Sequence, residues 1–253
     1  MPAQAPPRRP RRHRLWANPK PFFGYSDNTN LLAYLWSLGV VGFHGGSVMV
    51  ELGRPGAMHP LTAESLRAAL FTSGPYELRA SDEYRDESRD WVDPVTFEAE
   101  PPMRPAGEWI WHRPDRVIEG VTWGGNLEIL GWLLMADRAV AEPAAYEGAV
   151  LVIETSEELP SSLEVYRTLR NMGERGLLGR AKASSFERPN PPAATIKYVE
   201  VQRVAVSRAV DEYNPGATVV FDIDLGHTDP QLVIPYGGRI RVDGPARRVT
   251  VWY

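Results

Sequence analysis

"PKPFFGYSDNTNLLAYLWSLG", residues 19–39, decides how this chain folds. Aromatic residues and a glycine precede a lone serine, a polar run comes after it, and apolar residues then recur at helical spacing. "PFFGY" reads as a short buried strand and "NTNLLAYLWSLG" as a helix. Leu31, Leu32, Leu35 and Leu38 share one face, and Gly39 is placed to end the helix. Ser26 therefore sits at a strand-to-helix joint. A serine there is either a helix cap or a nucleophile held on a sharp turn.

Outward from that joint, "VVGFHGG" reads as the next strand, running into a glycine loop. "TAESLRAALF" reads as an amphipathic helix with Thr62 as N-cap and Ser65 where a capping box prefers glutamate. This alternation of strand and helix predicts a parallel sheet. Residues 72–116 change character: a charged run, "SDEYRDESRDWVDP", gives way to a stretch rich in proline and tryptophan. They read as an ordered meander and the seam between two units. Beyond it, "VIEGVTWGGNLEILGWLL" predicts strand, glycine turn and helix, and "GAVLVIET" an apolar strand closing on a carboxylate. "SSLEVYRTLRNMGERG" and "VEVQRVAVSRAVDEY" predict helices, and the stretch from "ATVVFDIDLGHTDP" to the C-terminus predicts short strands. The fold class expected is α/β: a parallel-sheet N-terminal part over 17–115, then a mixed α/β domain over 116–253 with a β-rich end.

Composition narrows the possible chemistry. A chain of 253 residues buries about 70–75% of its unfolded surface and needs no staples. It contains no cysteine, which excludes disulfides, thiolate metal sites and a cysteine nucleophile. Its net charge of −4 gives no general attraction to nucleic acid or anionic lipid. No apolar run approaches the ~20 residues of a membrane span. The expectation is a soluble, cytoplasmic protein with neither nucleic acid nor membrane as partner. Residues 1–16, "MPAQAPPRRPRRHRLW", hold five arginines and four prolines and predict a disordered tail, or else a basic binding arm. The segment after the arginines, "LWANPKPFF", is too short and too polar for the apolar core of an export signal.

Acyl transfer by a serine needs an exposed hydroxyl, a base in hydrogen-bond reach and a carboxylate to orient the base. Ser26 meets the first requirement. Gly24 removes a side chain two residues earlier, and the helix N-terminus supplies N–H groups for a developing oxyanion. The pattern is only G-x-S, with Asn28 in place of the second glycine of a G-x-S-x-G elbow. Of the histidines, His13 lies in the tail, His112 in the proline-rich seam and His59 before a proline. His44 comes after a strand, beside Gly45 and Gly46. His227 is better placed, just past an apolar strand and before a polar turn. For the acid, Glu154 ends "AVLVIE", with Asp222 and Asp224 as rivals on the strand leading to His227. Those aspartates and His227 would also make a weak metal cluster, but no H-E-x-x-H spacing supports one, so no metal and no cofactor is expected. Each residue keeps a plain structural reading: a cap for Ser26, a solvent-facing charge for Glu154, a loop histidine for His227.

Three separated segments shift that balance. "NPKPFFGYSDNTNLLAYLWSLGVVGFHGG", "GGNLEIL…GAVLVIET" and "DLGHTDPQLVIPYG" resemble, in order and spacing, the serine peptidases of the LD-carboxypeptidase family, which includes the microcin C self-immunity proteins. The resemblance covers residues 17–253. In that family the nucleophile lies in a G-[YH]-S-D turn, here Gly24-Tyr25-Ser26-Asp27. The acid ends the strand after a G-G-N-L loop, here Glu154, and the base lies in a G-H-x-x-P turn, here Gly226-His227 with Pro230. The resemblance implies a Ser26–Glu154–His227 triad, an oxyanion donor in the backbone N–H of Asp27, and Trp91, Gly125 and Asn126 as substrate-binding residues. It implies a cytoplasmic hydrolase that cuts an amide next to a free carboxylate. The substrate would be a small peptide, a murein tetrapeptide losing D-alanine, or a peptide or amino acid joined to a nucleotide-like group. Trp91 falls where the latter branch carries a tryptophan that stacks on the nucleobase; the plain alternative is a tryptophan pinning a charged loop. Trp109 and Trp111 also look like that branch. The family is often dimeric, so a homodimer is compatible with the resemblance.

The departures from the family pattern carry expectations too. The family has a longer N-terminal half before its serine turn, so the resemblance implies a chain lacking most of that half, with an exposed sheet edge at "PFFGY". "RGLLGRAKASSF" is contracted where a further apolar strand belongs, and Thr155 replaces an aspartate that often comes after the glutamate. The alternative to a hydrolase is a truncated, non-catalytic binding or sequestering module of the same family.

Overall fold

The computed structural model describes residues 15, 17–85, 90–188 and 196–253. The tail expected over 1–16, apart from Leu15, lies outside the described residues, and His13 with it. Among the described residues, β1 (Phe23–Gly24), α1 (Thr29–Ser37) and β2 (Gly42–His44) come first. Next are α2 (Pro60–Phe71), β3 (Pro75–Leu78), β4 (Glu83–Tyr84), α3 (Val95–Glu98), β5 (Arg104–Pro105) and β6 (Ile110–His112). The second half starts with β7 (Val117–Asn126), α4 (Leu127–Ala136), β8 (Val150–Glu154), α5 (Ser162–Glu174), β9 (Ala183–Glu187) and α6 (Ile196–Tyr213). It closes with β10 (Thr218–Ile223), β11 (Ile234–Tyr236), β12 (Arg239–Asp243) and β13 (Arg248–Trp252).

The expected α/β class holds. An eight-stranded sheet in the order β3-β13-β12-β7-β8-β9-β10-β6 forms the body. Its centre, β7 through β10, is parallel, and antiparallel strands flank it on both sides. β8 is buried at every position, as a parallel strand covered on both faces must be. Its side chains alternate between two cores. Leu151 and Ile153 pack with Leu127, Leu130, Leu169 and Met172 of the covering helices. Val150 and Val152 pack with Val220, Leu232, Ile234 and Ile240 on the opposite face. The ends of these parallel strands form one rim, and Glu154 and Glu187 stand on it side by side.

A second sheet, β1-β2-β11, brings the N-terminal turn to that rim. β1 and β2 are parallel, pairing Gly24 with His44, and β11 is antiparallel to β2. β1 is an edge of this sheet.

Several local expectations are corrected. Leu32, Leu35 and Leu38 are buried, but Leu31 is 40% exposed and faces away from them. α2 is capped by His59, whose ring accepts the Leu61 N–H, with Pro60 at its first turn. Thr62 lies inside the helix. Its hydroxyl accepts the Gln231 N–H at 2.9 Å, and that of Ser65 accepts the Val233 N–H at 2.9 Å. Polar atoms that looked like caps therefore dock the approach to β11. Residues 72–116 supply both edge strands of the large sheet, β3 and β6. The end of "RGLLGRAKASSF", read as contracted, supplies with Glu187 the buried strand β9 between β8 and β10. Small residues fill a strand with a neighbour on each side, so it needed no β-branched run to form. No described helix is long and apolar enough to cross a membrane.

Candidate active site

Ser26 occupies a tight turn. Its φ of 56° lies in the left-handed region, which costs a non-glycine residue about 1 kcal/mol or more. Tyr25 before it is extended, and a 3-10 turn over Ser26–Asn28 leads into α1. Gly24 is what makes the turn passable: a Cβ there would stand 2.7 Å from the Cβ of Asn28. Asn28, which looked like a defect in the elbow pattern, fills the space that Gly24 leaves. The strained turn is held from below, where the Ser26 N–H donates to Glu154 Oε1 at 2.6 Å.

Glu154 is the hub of the site. It ends β8 with no exposure to solvent. Oε1 also accepts from His44 Nε2 at 3.0 Å, and Oε2 pairs with His227 Nδ1 at 3.0 Å. Burial alone would raise this carboxyl's pKa, but the charge and hydrogen bonds of His44 and His227 outweigh it and hold it at about 2. His227 comes after β10 on Gly226, whose φ is +74°. Its Nε2 lies 2.8 Å from Glu157 Oε2, and the edge of its ring meets Tyr25 at 5.1 Å between centroids. Burial favours the neutral ring, yet the hydrogen bond and charge of Glu154 above all, with Glu157 beside it, overcome this and lift its pKa to about 9.

Ser26 and His227 line one cleft of about 690 Å³, together with Tyr25, Asp27, Trp91 and Glu157. Trp91 is 52% exposed and packs against Phe97 at 6.0 Å between ring centroids. Val48 and Met49 form an exposed apolar lip. On the floor, Arg54 is paired with Asp229 at 2.8 Å.

Other candidates fall elsewhere. The Asp222 carboxylate is held by Arg203, while Asp224 accepts from Trp109 Nε1 at 3.0 Å and Ser81 N–H at 3.1 Å. Neither orients His227. His59 caps α2, and His112 lies 4.0 Å from Asp211. Gly125 and Asn126 lie behind the elbow, outside the cleft lining. A Cβ on Gly125 would strike the Thr29 side chain at 2.5 Å, and the Asn126 N–H donates to Thr29 Oγ1 at 2.9 Å. Asn126 Oδ1 caps α4 through the Ile129 N–H.

Sequence reading passed over His44 and Glu187. His44 looked like a loop residue, yet its pairing with Gly24 points it at Glu154. Glu187 comes directly after "RGLLGRAKASSF", the segment read as contracted. Glu154, Glu187 and His227 bring ligand-type atoms within 4.8 Å of one another. The His227 nitrogens face Glu154 and Glu157, and Glu187 accepts from the N–H groups of Thr155 and His227. Each of the three is held by hydrogen bonds or ion pairs to the groups around it.

Family models of the LD-carboxypeptidase N-terminal and C-terminal domains match residues 11–45 and 119–242. The chain belongs to the LD-carboxypeptidase family. Among this family's curated members it is 26% identical over 249 residues to the microcin C7 self-immunity protein MccF of Escherichia coli. That alignment covers 93% of this chain and 66% of the relative's length. A solved MccF-like protein from Streptococcus pneumoniae, in complex with AMP, superposes with a TM-score of 0.80 at 21% identity, covering 96% of this chain and 74% of the other. MccF in complex with aspartyl sulfamoyl adenosine gives 0.78 at 22% identity, with 96% and 70% covered. These superpositions establish a shared LD-carboxypeptidase fold.

Proposed function

We propose that the chain is a serine hydrolase in which Ser26 attacks, His227 moves the proton and Glu154 orients the imidazole. One observation carries this reading. The strained turn bearing Ser26 and the ring of His227 are tied to opposite oxygens of one buried carboxylate, and both residues face the same cleft.

The reaction starts from the neutral form of His227: with the Nε2 proton lost and the contact to Glu157 released, Nε2 takes the proton of Ser26 Oγ as that oxygen bonds to the substrate carbonyl carbon. The developing oxyanion is met by the Asp27 N–H at the start of the helical turn. The tetrahedral species collapses, its carbon–nitrogen bond breaks, and the leaving amine takes the proton from His227. Water then attacks the acyl-enzyme, giving its proton to His227, and Ser26 Oγ leaves as the hydroxyl. Glu154 stays ionised throughout, which its pKa of about 2 permits.

The substrate in this reading is a peptide or amino acid joined to a nucleotide-like group. Trp91, half exposed in the cleft beside Phe97, offers a flat face for a base. The AMP and sulfamoyl adenosine bound to related proteins support the same choice. The test is incubation with aspartyl sulfamoyl adenosine and, separately, with murein tetrapeptide, with the products read by mass spectrometry. Release of aspartate, abolished by Ser26→Ala, is expected. Release of D-alanine alone would move the chain to the murein-cleaving branch. A second reading, a non-catalytic binder, draws on the contact of Glu157 with His227 Nε2, the nitrogen the chemistry requires. Binding of the nucleotide without turnover, and no reaction of Ser26 with a fluorophosphonate, would favour it.

A further inference from the structure

Glu187 is the buried carboxyl that the mechanism leaves unused. It ends β9, one strand over from Glu154, and the register pairing Ile153 with Phe186 sets the two acids side by side. Its exposure is 4%. One carboxyl oxygen accepts from both the N–H and the hydroxyl of Thr155, the latter at 2.9 Å; the other accepts the His227 N–H at 3.2 Å. Thr155 is the residue directly after Glu154, so a single side chain ties the end of the acid's strand to the loop that carries the imidazole. The fit is close. A Cβ on Gly226 would stand 2.1 Å from Glu187 Oε2 and 2.6 Å from Glu154 Oε2, so the loop passes only because residue 226 has no side chain.

Charge decides what state Glu187 is in. Two adjacent buried carboxyls do not both ionise. Glu154 faces His44, His227 and the Ser26 N–H. Glu187 faces N–H and O–H donors, and the nearby Arg203 is paired with Asp222. The anion therefore rests on Glu154 and the proton on Glu187. Burial, and next the charge of Glu154, push the Glu187 carboxyl well above its ordinary range.

We propose that Glu187 is a positioning residue that, as a neutral acid, clamps the His227 loop to the strand end bearing Glu154. This deepens the hydrolase reading and rests on it. If Glu187 lost its proton, a second negative charge would stand beside Glu154, lift the His227 pKa further and leave still less of the ring as free base. The groups that bear on the ring from the surrounding elements are Glu154 and Glu157 at and after β8, Glu187 on β9, Tyr25 at the elbow and Glu51 in the 48–52 turn.

The experiment pairs kinetics with an NMR titration of the His227 ring nitrogens in wild type, Glu187→Ala and Glu187→Gln. Glu187→Ala is expected to lower kcat about 10- to 100-fold with little change in KM, as a misplaced catalytic group does, and to shift the His227 midpoint. Glu187→Gln, neutral and of the same shape, is expected to restore most of the rate and leave the midpoint within about 0.5 pH unit of wild type. A Glu187→Gln midpoint more than about one pH unit below wild type would mean that Glu187 was ionised, and would overturn the proposal. So would an unchanged titration in Glu187→Ala. If Glu187→Ala does not fold, Thr155→Val, which removes one donor to the clamp, replaces it with the same two readouts. The titration needs no turnover. An inactive wild type whose His227 midpoint still moves with Glu187→Ala and not with Glu187→Gln would reject the hydrolase reading and keep the clamp.

Discussion

Ser26 and Glu154 are 128 residues apart in the chain, yet the backbone N–H of one donates to the carboxylate of the other at 2.6 Å. The acid thus supports the nucleophile's turn as well as the base. Glu154→Gln is expected to cut kcat/KM by about 10³–10⁴-fold, the scale for losing a triad carboxylate. It should also destabilise the fold by about 3 kcal/mol, because His44 and His227 lose a buried counter-charge. A denaturant melt beside the kinetics checks both. A variant as stable as wild type would show that the hub does not hold the elbow.

The left-handed φ of Ser26 implies strain kept for function. Ser26→Gly should raise stability by about 0.5–1 kcal/mol by relieving it, less what the more flexible unfolded chain takes back. It should also abolish fluorophosphonate labelling. Ser26→Ala, which keeps the strain, should lose the labelling without the gain.

The His227 pKa of about 9 makes the resting ring cationic at neutral pH. The free base grows as pH rises, so kcat/KM should climb toward an apparent pKa near 9 in the unliganded enzyme. Glu157→Gln removes one of the charges that lift it, so the rise should move to lower pH. A rise that moved to higher pH would contradict the pairing at His227 Nε2.

Stability should track the same groups. The raised pKa of His227 contributes stability that is complete below its ordinary value of 6.5 and lost as pH climbs through about 9. Glu154, depressed from 4.5 to about 2, contributes stability present above 4.5 and lost as pH falls through about 2. For these two groups the maximum lies between 4.5 and 6.5. Thermal melts across pH test this, and Glu154→Gln should flatten both limbs.

Trp91 separates the two substrate branches. If it stacks on a base, Trp91→Ala should raise KM for an aminoacyl sulfamoyl nucleoside about ten-fold or more, while the rate of fluorophosphonate labelling of Ser26 stays near wild type. Equal losses in both would make Trp91 a structural pin of its loop.

Much of this molecule is readable along the chain. The run "AVLVIE" is apolar and ends in one charge, so burial alone dictates a covered strand with Glu154 at its tip. Gly24 before Ser26 and a helical apolar face after it dictate the turn, since only hydrogen fits beside Asn28. These are local effects, set by side-chain size and period. Tertiary structure decided what met at the rim. His44 turned inward because β1 and β2 pair in parallel. Thr62 and Ser65 gave their hydroxyls to distant backbone N–H groups instead of capping a helix. "ASSFE" became a central strand because a neighbour on each side satisfies its backbone, and that carried Glu187 to Glu154. Hydrogen bonds and charge pairs between strand ends depend on register and strand order, which no local period encodes.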